Sequence, residues 1–596
     1  MLRLAIAQIR PAKGDYPRNL ELIESTLGQV ATLDPPVDLV VFPETATSGY
    51  FVEGGVRDVA VTAGTLFRDL SQRHAAAGLR PLDVVVGFYE VFEHRFYNSC
   101  LYATLGGQAG IKHVHRKVFL PTYGVFDEER FVERGRDVRA FDTAWGRAAM
   151  LICEDVWHSL TATVAALDGA QLLIVPSASP ARGTSTDAGV ALPASAVRWE
   201  RIVRGLAEEH GMYVAYASLV GFEGGKGFPG GSLVVDPEGE ILVRGPLFEE
   251  AVVTAEVNPE EITRARAEAP LLSDLEQALP HLVKDLAARR DGHRAPVKWD
   301  PAADGTSAAR GSTGSRLHVV GSRNDEEPLA IDLELARRWL VSFLKDEVVV
   351  RRGFQKGVVG LSGGVDSALT ATLAVQALGK ENVIGVRMPY RTSSPESLEH
   401  ATLVIDQLGI PSVTVDISAA VDGYLRDVPD ADPGRQGNVM ARERMIVLFD
   451  QSAKHRALPL GTGNKSERLL GYFTWHADDA PPVNPLGDLF KTQVWALARH
   501  VGVPEVIVTK PATADLIRGQ TDEGDFGISY PKADRILYYL LRGLRPDEIV
   551  ARGFTAAEVA LVEGRLESTH WKRRLPTVAV LSQTAIGEFY LRPVDY

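Results

Sequence analysis

Three residues in the first half of the chain are of types that together can break an amide bond: Glu44 in VVFPET, Lys117 in HRKVFLPTYGVFDEER and Cys153 in MLICEDVWH. A cysteine attacks a carbonyl carbon as the thiolate, so it needs a base, and a carboxylate in a partly buried site has its pKa raised enough to serve. A lysine ammonium stabilises the oxyanion that the attack creates. In the second half, the run from Gly357 to Leu361 passes into Ser362-Gly363-Gly364-Val365-Asp366-Ser367 and then into ALTATLAVQALG. That is a strand, a glycine-rich turn and a helix N-terminus. The glycines let backbone amides approach a phosphate closely, and the unsatisfied N–H groups and helix dipole favour the anion. Ser362 and Ser367 add hydroxyl donors. Asp366 would be repelled by a polyphosphate unless a divalent cation lay between them, which makes it a candidate Mg²⁺ ligand. Each residue taken singly also has a structural reading, as a buried cysteine, a capping glutamate, a surface lysine or a helix-capping turn. Their combination favours the chemical one.

The elements that must position these groups are legible as short apolar runs. LAIAQI, DLVVFPE, DVVVGFYEV, AAMLICED, QLLIVPSAS, MYVAYASLV, SLVVDP and AVVTAEV follow one another between Met1 and Val257, rich in β-branched residues and of strand length. Helical stretches such as NLELIESTLGQVATL and SAVRWERIVRGLAEEHG alternate with them, which predicts a layered α/β domain. Glu44 and Cys153 each follow a strand-like run, at a strand end where loops shape a pocket. Cys100, inside the strand-like NSCLYATL, has no acidic or basic partner motif and is expected to be inert. After Asp332 the helix LELARRWLVSFLKDEVVVR leads into GVVGLSGGVDS, NVIGVRMP and PSVTVDI with helices between, the pattern of a doubly wound parallel sheet with ligands at the carboxyl ends of its strands.

Length and composition bound the rest. At 596 residues the chain exceeds the roughly 250–300 residues that one core sustains. Three segments are expected: a domain over 1–288, a Gly/Ala/Ser/Pro-rich linker over 289–327 and a second domain over 328–596. A net charge of −13 argues against non-specific nucleic-acid or anionic-membrane partners, leaving small molecules. Two cysteines exclude a disulfide framework and a four-cysteine zinc site, and fit a reducing, cytoplasmic location. MLRLAIAQIR reads as a first strand rather than a signal peptide, and no window approaches the ~20 apolar residues that span a bilayer.

The Glu44, Lys117 and Cys153 motifs, over about Leu2 to Val257, resemble the Glu-Lys-Cys site of the nitrilase superfamily. The resemblance implies an αββα sandwich with Glu44 as general base, Lys117 as oxyanion stabiliser and Cys153 as nucleophile. A second glutamate, Glu128 or Glu129, would assist, and Tyr123 and Ser179 would bind glutamine. The loop at 362–367 lacks a Walker Lys-Ser/Thr ending and resembles the PP-loop of ATP pyrophosphatases, which implies an adenine nucleotide alpha hydrolase-like fold. GNVMARERM, GTGNKSERLLGYFT, PLGDLFKTQV, KPATADL, GQTDEGDFGISY and THWKRRLP, spread over Ile331 to Pro576, are similar to the synthetase domain of NAD synthetases. By that similarity Ser362, Gly363, Gly364, Val365, Asp366, Ser367, Thr462, Lys491 and Thr513 bind ATP, and Asp366 and Glu467 share Mg²⁺. Arg442, Glu467, Asp478 and Lys572 would bind deamido-NAD. Trp475 stands where many ammonia-dependent members carry lysine.

Together the two resemblances imply a glutamine-dependent NAD synthetase: ammonia released from glutamine attacks an adenylated deamido-NAD, giving NAD, AMP, pyrophosphate and glutamate. They also imply a homo-oligomer with ammonia channelled between sites, since free ammonia is mostly protonated in neutral water. The alternatives are a nitrilase-like amidase fused to another PP-loop amide ligase, and a non-catalytic binding scaffold.

Overall fold

A computed structural model describes residues 1–52, 55–123, 126–181, 192–290, 328–513 and 521–574. The linker expected over 289–327 therefore lies almost wholly outside the described residues. The first half is built on two six-stranded sheets. One runs, edge to edge, through Ala251–Val257, Leu2–Gln8, Leu39–Val41, Leu82–Phe92, Arg95–Leu105 and Gly110–Arg116. The other runs through Ile241–Arg244, Leu233–Val235, Tyr213–Ser218, Leu172–Ser177, Arg147–Met150 and Ala140–Asp142.

The strand Leu2–Gln8 shows why the layers form. Its side chains alternate between faces, and both faces are apolar. Leu2, Leu4 and Ile6 point into the core shared with Ala149, Leu173 and Val214 of the second sheet. Ala5 and Ala7 face Leu20, Ile23 and Leu27 of helix Tyr16–Ala31 and Leu66 and Leu70 of helix Ala63–Ala76. On the second sheet, Trp199, Val203 and Leu206 of helix Ala194–His210 join the core, and Gly211, at φ +54, ends that helix. The layer order is helix, sheet, sheet, helix, the expected sandwich.

The second half holds a parallel four-stranded sheet in the order Ser412–Thr414, Val383–Arg387, Lys356–Gly360, Ala457–Pro459. Helices Leu333–Lys345, Val365–Leu378 and Lys491–His500 cover one face and helix Pro433–His455 the other, so the sheet is doubly wound. The strand order reverses beside Lys356–Gly360, which is where such sheets bind ligands. The helix read from LELARRWLVSFLKDEVVVR divides, being α-helical over Leu333–Lys345 and π-helical over Asp346–Arg351. Three β-branched valines in a row at 348–350 crowd the preceding turn and favour that local unwinding.

The halves meet along helix Leu333–Lys345. A hairpin of the first half, Val220–Glu223 with Lys226–Pro229, sets Phe222 edge-on against Phe343 with ring centres 5.8 Å apart, and Phe248 lies 5.6 Å from Trp339. The Arg10 guanidinium pairs with the buried Asp346 carboxylate, which also accepts from Arg351 at 2.8 Å. No described helix is long and apolar enough to cross a membrane.

Candidate functional site

Glu44 sits three residues beyond the strand Leu39–Val41, on a turn in which Thr45 takes φ +50. The turn lies flat against the next strand because residue 87 is glycine. A β-carbon there would lie 2.5 Å from the Pro43 carbonyl oxygen and 2.7 Å from the Glu44 α-carbon. Lys117 follows the strand Gly110–Arg116, and Cys153 follows Arg147–Met150 at φ +45, a conformation that non-glycine residues rarely adopt and that clusters at functional sites. One carboxylate ties the last two together. Asp155 accepts from the amides of Val118 and Phe119, just after Lys117, at 2.9 and 2.8 Å, and from that of Ile152, just before Cys153, at 2.9 Å. His115 completes its set at 2.9 Å.

The ammonium of Lys117, fully buried, donates to Glu44 at 2.7 Å and to Glu128 at 2.8 Å. Asn98 bridges the same two carboxylates through Nδ2, at 2.8 and 2.5 Å. Glu128 is thus the second glutamate of the cluster, whereas Glu129 pairs with Arg134 at the surface. Burial raises the Glu128 pKa against the pull of Lys117. For Lys117 burial works toward deprotonation, but Glu128 and Glu44 outweigh it and hold the ammonium charged. The Cys153 thiol is pushed well above its ordinary value by burial and by the Glu44 charge, with Lys117, the Ser177 hydroxyl and the Ala178 amide opposing. Glu44 accepts from that amide at 2.7 Å. A resting thiol beside a carboxylate and a fixed ammonium is equipped for base-assisted acyl transfer. Cys100, buried in a strand interior, has its thiol pushed far up by burial.

Tyr123 is half exposed and donates to the Glu154 carboxylate at 2.9 Å. Ser179 lies two residues beyond the strand Leu172–Ser177. Asn98, Asp155, Ser177 and Glu154 were not singled out from sequence. Asp155 and Glu154 are inside the MLICEDVWH motif, but nothing local in NSCLYATL or QLLIVPSAS marks Asn98 or Ser177.

In the second half, one cavity of about 300 Å³ opens at the carboxyl ends of the sheet. Ser362, Gly364, Val365, Asp366, Ser367, Thr462, Glu467, Asp478, Lys491 and Thr513 all line it. Gly363, at φ +77, instead packs against the helix Pro395–Leu408, where a β-carbon would lie 2.1 Å from the Ser397 carbonyl oxygen. The Lys491 ammonium donates to Asp366 at 2.5 Å and Glu467 at 3.2 Å. Glu467 also accepts from the Asn464 amide at 3.2 Å, so it caps its own helix and faces the cavity at once. Burial pushes the Glu467 pKa up to about 8, with Lys491 opposing and Asp366 adding to the rise. Burial disfavours the Lys491 charge, but Asp366 and Glu467 reverse that and raise its pKa overall.

Arg442 and Lys572 do not line the cavity. They hold the segment that closes it: Arg442 donates to the Trp475 carbonyl at 3.1 Å, and Lys572 to those of Gly471 and Phe473 at 2.8 and 2.7 Å. Asp478 accepts from the Thr474 amide at 2.7 Å in the same segment. Arg387, Arg444, Arg468, Lys510 and Asp522 also line the cavity without having been read from sequence; all but Arg387 stand inside the synthetase motifs, but the order of residues in a motif does not say which side chains turn to the cavity.

The first half matches the carbon–nitrogen hydrolase family over residues 3–267, and the second matches the NAD synthase family over residues 337–576. A carbon–nitrogen hydrolase fold joined to a nucleotide-binding synthetase fold defines an amide-forming ligase that carries its own amidase. The glutamine-dependent NAD(+) synthetase of Thermotoga maritima is 33% identical over a 612-residue alignment covering 100% of this chain and 98% of that protein. The chain belongs to the glutamine-dependent NAD(+) synthetase family. The NH(3)-dependent NAD(+) synthetase of Trichlorobacter lovleyi is 49% identical over 270 residues, 45% of this chain and 98% of that protein. The structure of a glutamine-dependent NAD+ synthetase from Acinetobacter baumannii in complex with ADP superposes with a TM-score of 0.66 at 25% identity, covering 97% of this chain and 95% of that one.

Proposed function

We propose that the first half hydrolyses glutamine at Cys153 and that the second adenylates deamido-NAD with ATP and amidates it with the ammonia released. The observation that carries the reading is the sealed Glu44–Lys117–Glu128 cluster beside a cysteine on a left-handed turn. Cys153 Sγ attacks the glutamine side-chain carbonyl while its proton passes to Glu44, and Lys117 stabilises the oxyanion. The C–N bond breaks as Glu44 returns the proton to the departing ammonia, leaving a γ-glutamyl thioester. Water, deprotonated by Glu44, then releases glutamate and regenerates the thiol. Tyr123, Glu154 and Ser179 recognise the amino-acid end of glutamine, the Glu154 carboxylate facing its ammonium. Glu128 holds Lys117 in place.

In the second half the carboxylate of deamido-NAD attacks the α-phosphorus of ATP and pyrophosphate leaves. Ammonia then displaces AMP from the acyl adenylate. The glycine-rich loop, Thr462 and Thr513 bind ATP, and Lys491 neutralises charge on the departing phosphates. The residues fit Mg²⁺: Asp366 and Glu467 share one ammonium at the mouth of the phosphate loop, and Asp522, which has a buried carboxylate oxygen without a hydrogen-bond partner among the described residues, lines the same cavity. No group of three or more His, Cys, Asp or Glu among the described residues is built as a metal cage, in keeping with an ion that takes one or two carboxylates plus water and phosphate oxygens. Asp366 and Glu467 would hold it, and bound there it would offset charge on the phosphates. Arg442, Asp478 and Lys572 shape the deamido-NAD side of the cavity. The reading includes a cytoplasmic homo-oligomer that shelters ammonia between its sites.

The test is NAD formation from protein, Mg-ATP, deamido-NAD and glutamine, with each reactant omitted in turn. Cys153→Ala should abolish the glutamine-supported reaction and spare the ammonium-supported one. Equal loss with both nitrogen sources in a folded variant would refute the division of labour.

A further inference from the structure

Ser177, the last residue of the strand Leu172–Ser177, is fully buried, and its hydroxyl donates to Cys153 Sγ at 3.2 Å. The following amide, of Ala178, donates to Glu44. One strand end therefore touches both the sulfur and the base that takes its proton. Apart from this hydroxyl, the Ala178 amide and the Lys117 charge, the surroundings of the sulfur work against its ionisation: a deep apolar core and the Glu44 carboxylate.

We infer that Ser177 is a catalytic residue of the amidase half, donating a hydrogen bond to the Cys153 sulfur that strengthens as the sulfur becomes anionic. The inference rests on Cys153 being the nucleophile. Sulfur carries negative charge twice in the cycle, as the proton leaves for Glu44 and again when the thioester breaks and the thiolate departs. A hydrogen bond to an ion is shorter and stronger than one to a neutral thiol, so the Ser177 hydroxyl favours both transition states over the resting thiol and the thioester. The strand fixes its direction in advance, so little reorganisation accompanies the step. Ser179, two residues on, lies beyond the strand end and is left to the substrate.

The experiment is the pH dependence of iodoacetamide alkylation at Cys153, read by mass spectrometry of its peptide, beside steady-state glutamate release. Ser177→Ala should move the alkylation midpoint up by about one pH unit or more and lower kcat for glutamine roughly tenfold with KM little changed, the loss expected for one charge-assisted hydrogen bond. Ser177→Thr, which keeps the donor, should return the midpoint toward that of the parent. A midpoint in Ser177→Ala that is unmoved, or that falls toward that of an ordinary free cysteine, overturns the proposal whatever the activity. Failure of the underlying reading would look different: Cys153→Ala would then retain glutamine-supported synthesis.

Discussion

At the scale of residues, both sites place carboxylates around a buried ammonium: Lys117 with Glu44 and Glu128, and Lys491 with Asp366 and Glu467. The two clusters differ in what surrounds them. The first is sealed, so its charges settle among themselves, and in the proposed reaction the fixed cation serves an oxyanion. The second opens on a cavity lined by phosphate-loop groups, so its carboxylates are available to a cation that arrives with substrate. Asp366→Asn and Glu467→Gln are therefore expected to lower NAD formation with glutamine and with ammonium alike. The loss should be on the order of 10–100-fold or more at low Mg²⁺ and partly restored as Mg²⁺ is raised. Ammonium-supported rates unchanged at low Mg²⁺ would remove both residues from the metal site.

At the scale of elements, the groups of the second site are aimed by helix N-termini. Asp534, buried in helix Tyr530–Leu541, accepts from the Ser466 hydroxyl at 2.5 Å and from the amide and hydroxyl of Thr492 at 2.9 Å each. Ser466 Oγ in turn accepts from the Lys491 amide at 2.9 Å, so one carboxylate locks the helices that present Glu467 and Lys491. Burial, against the hydrogen bonds that oppose it, raises the Asp534 pKa to about 6. An unfolded aspartate titrates near 3.9, so between roughly pH 4 and 6 the folded chain holds a proton that the unfolded chain has released. The contribution of this group to stability then falls as pH rises across that window and is level above it. Asp534→Asn cannot titrate, so the Tm advantage of the parent over this variant should be larger at pH 5 than at pH 7. Melting curves showing a constant gap would reject the assignment. The variant should also raise KM for Mg-ATP through misplacement of Lys491.

At the scale of the whole molecule, the hairpin Val220–Pro229 touches both halves. Glu223 accepts from the amides of Tyr50 and Phe51 at 3.1 and 2.7 Å, and the Tyr50 hydroxyl donates to Glu128 in the amidase cluster. One residue earlier, Phe222 packs on Phe343 of the helix that leads through Asp346–Arg351 to the strand before the phosphate loop. An amidase running unchecked would lose ammonia to protonation, and a packed element that touches both halves is a physical means of coupling their sites. Glutamate release at saturating glutamine is expected to rise several-fold when ATP and deamido-NAD are added, and Phe222→Ala to weaken that rise while ammonium-supported synthesis continues. If release does not respond in enzyme competent for synthesis, the halves are uncoupled. If Phe222→Ala responds as the parent does, coupling runs by another route.

What the sequence determined by itself was whatever short-range chemistry marks: apolar alternation for Leu2–Gln8, the glycine-rich turn before helix Val365–Leu378, and Cys153 and Glu44 just beyond apolar runs. Alternation and turn chemistry act over a few residues, so they survive in one dimension. Short or amphipathic strands such as Ala457–Pro459 and the 220–229 hairpin left weaker traces, because three or four residues cannot establish a period. The tertiary structure alone decided which glutamate of the 128–129 pair turns inward, since adjacent residues of a turn point in different directions and only packing selects one. It alone set Arg442 and Lys572 behind the cavity wall rather than on it, and brought Asn98, Ser177 and Asp534 to their partners across 24 to 68 residues of chain. Those contacts carry no sequence period, because they arise from strands and helices meeting after the chain has closed on itself, where burial turns each polar atom into one that must find a partner.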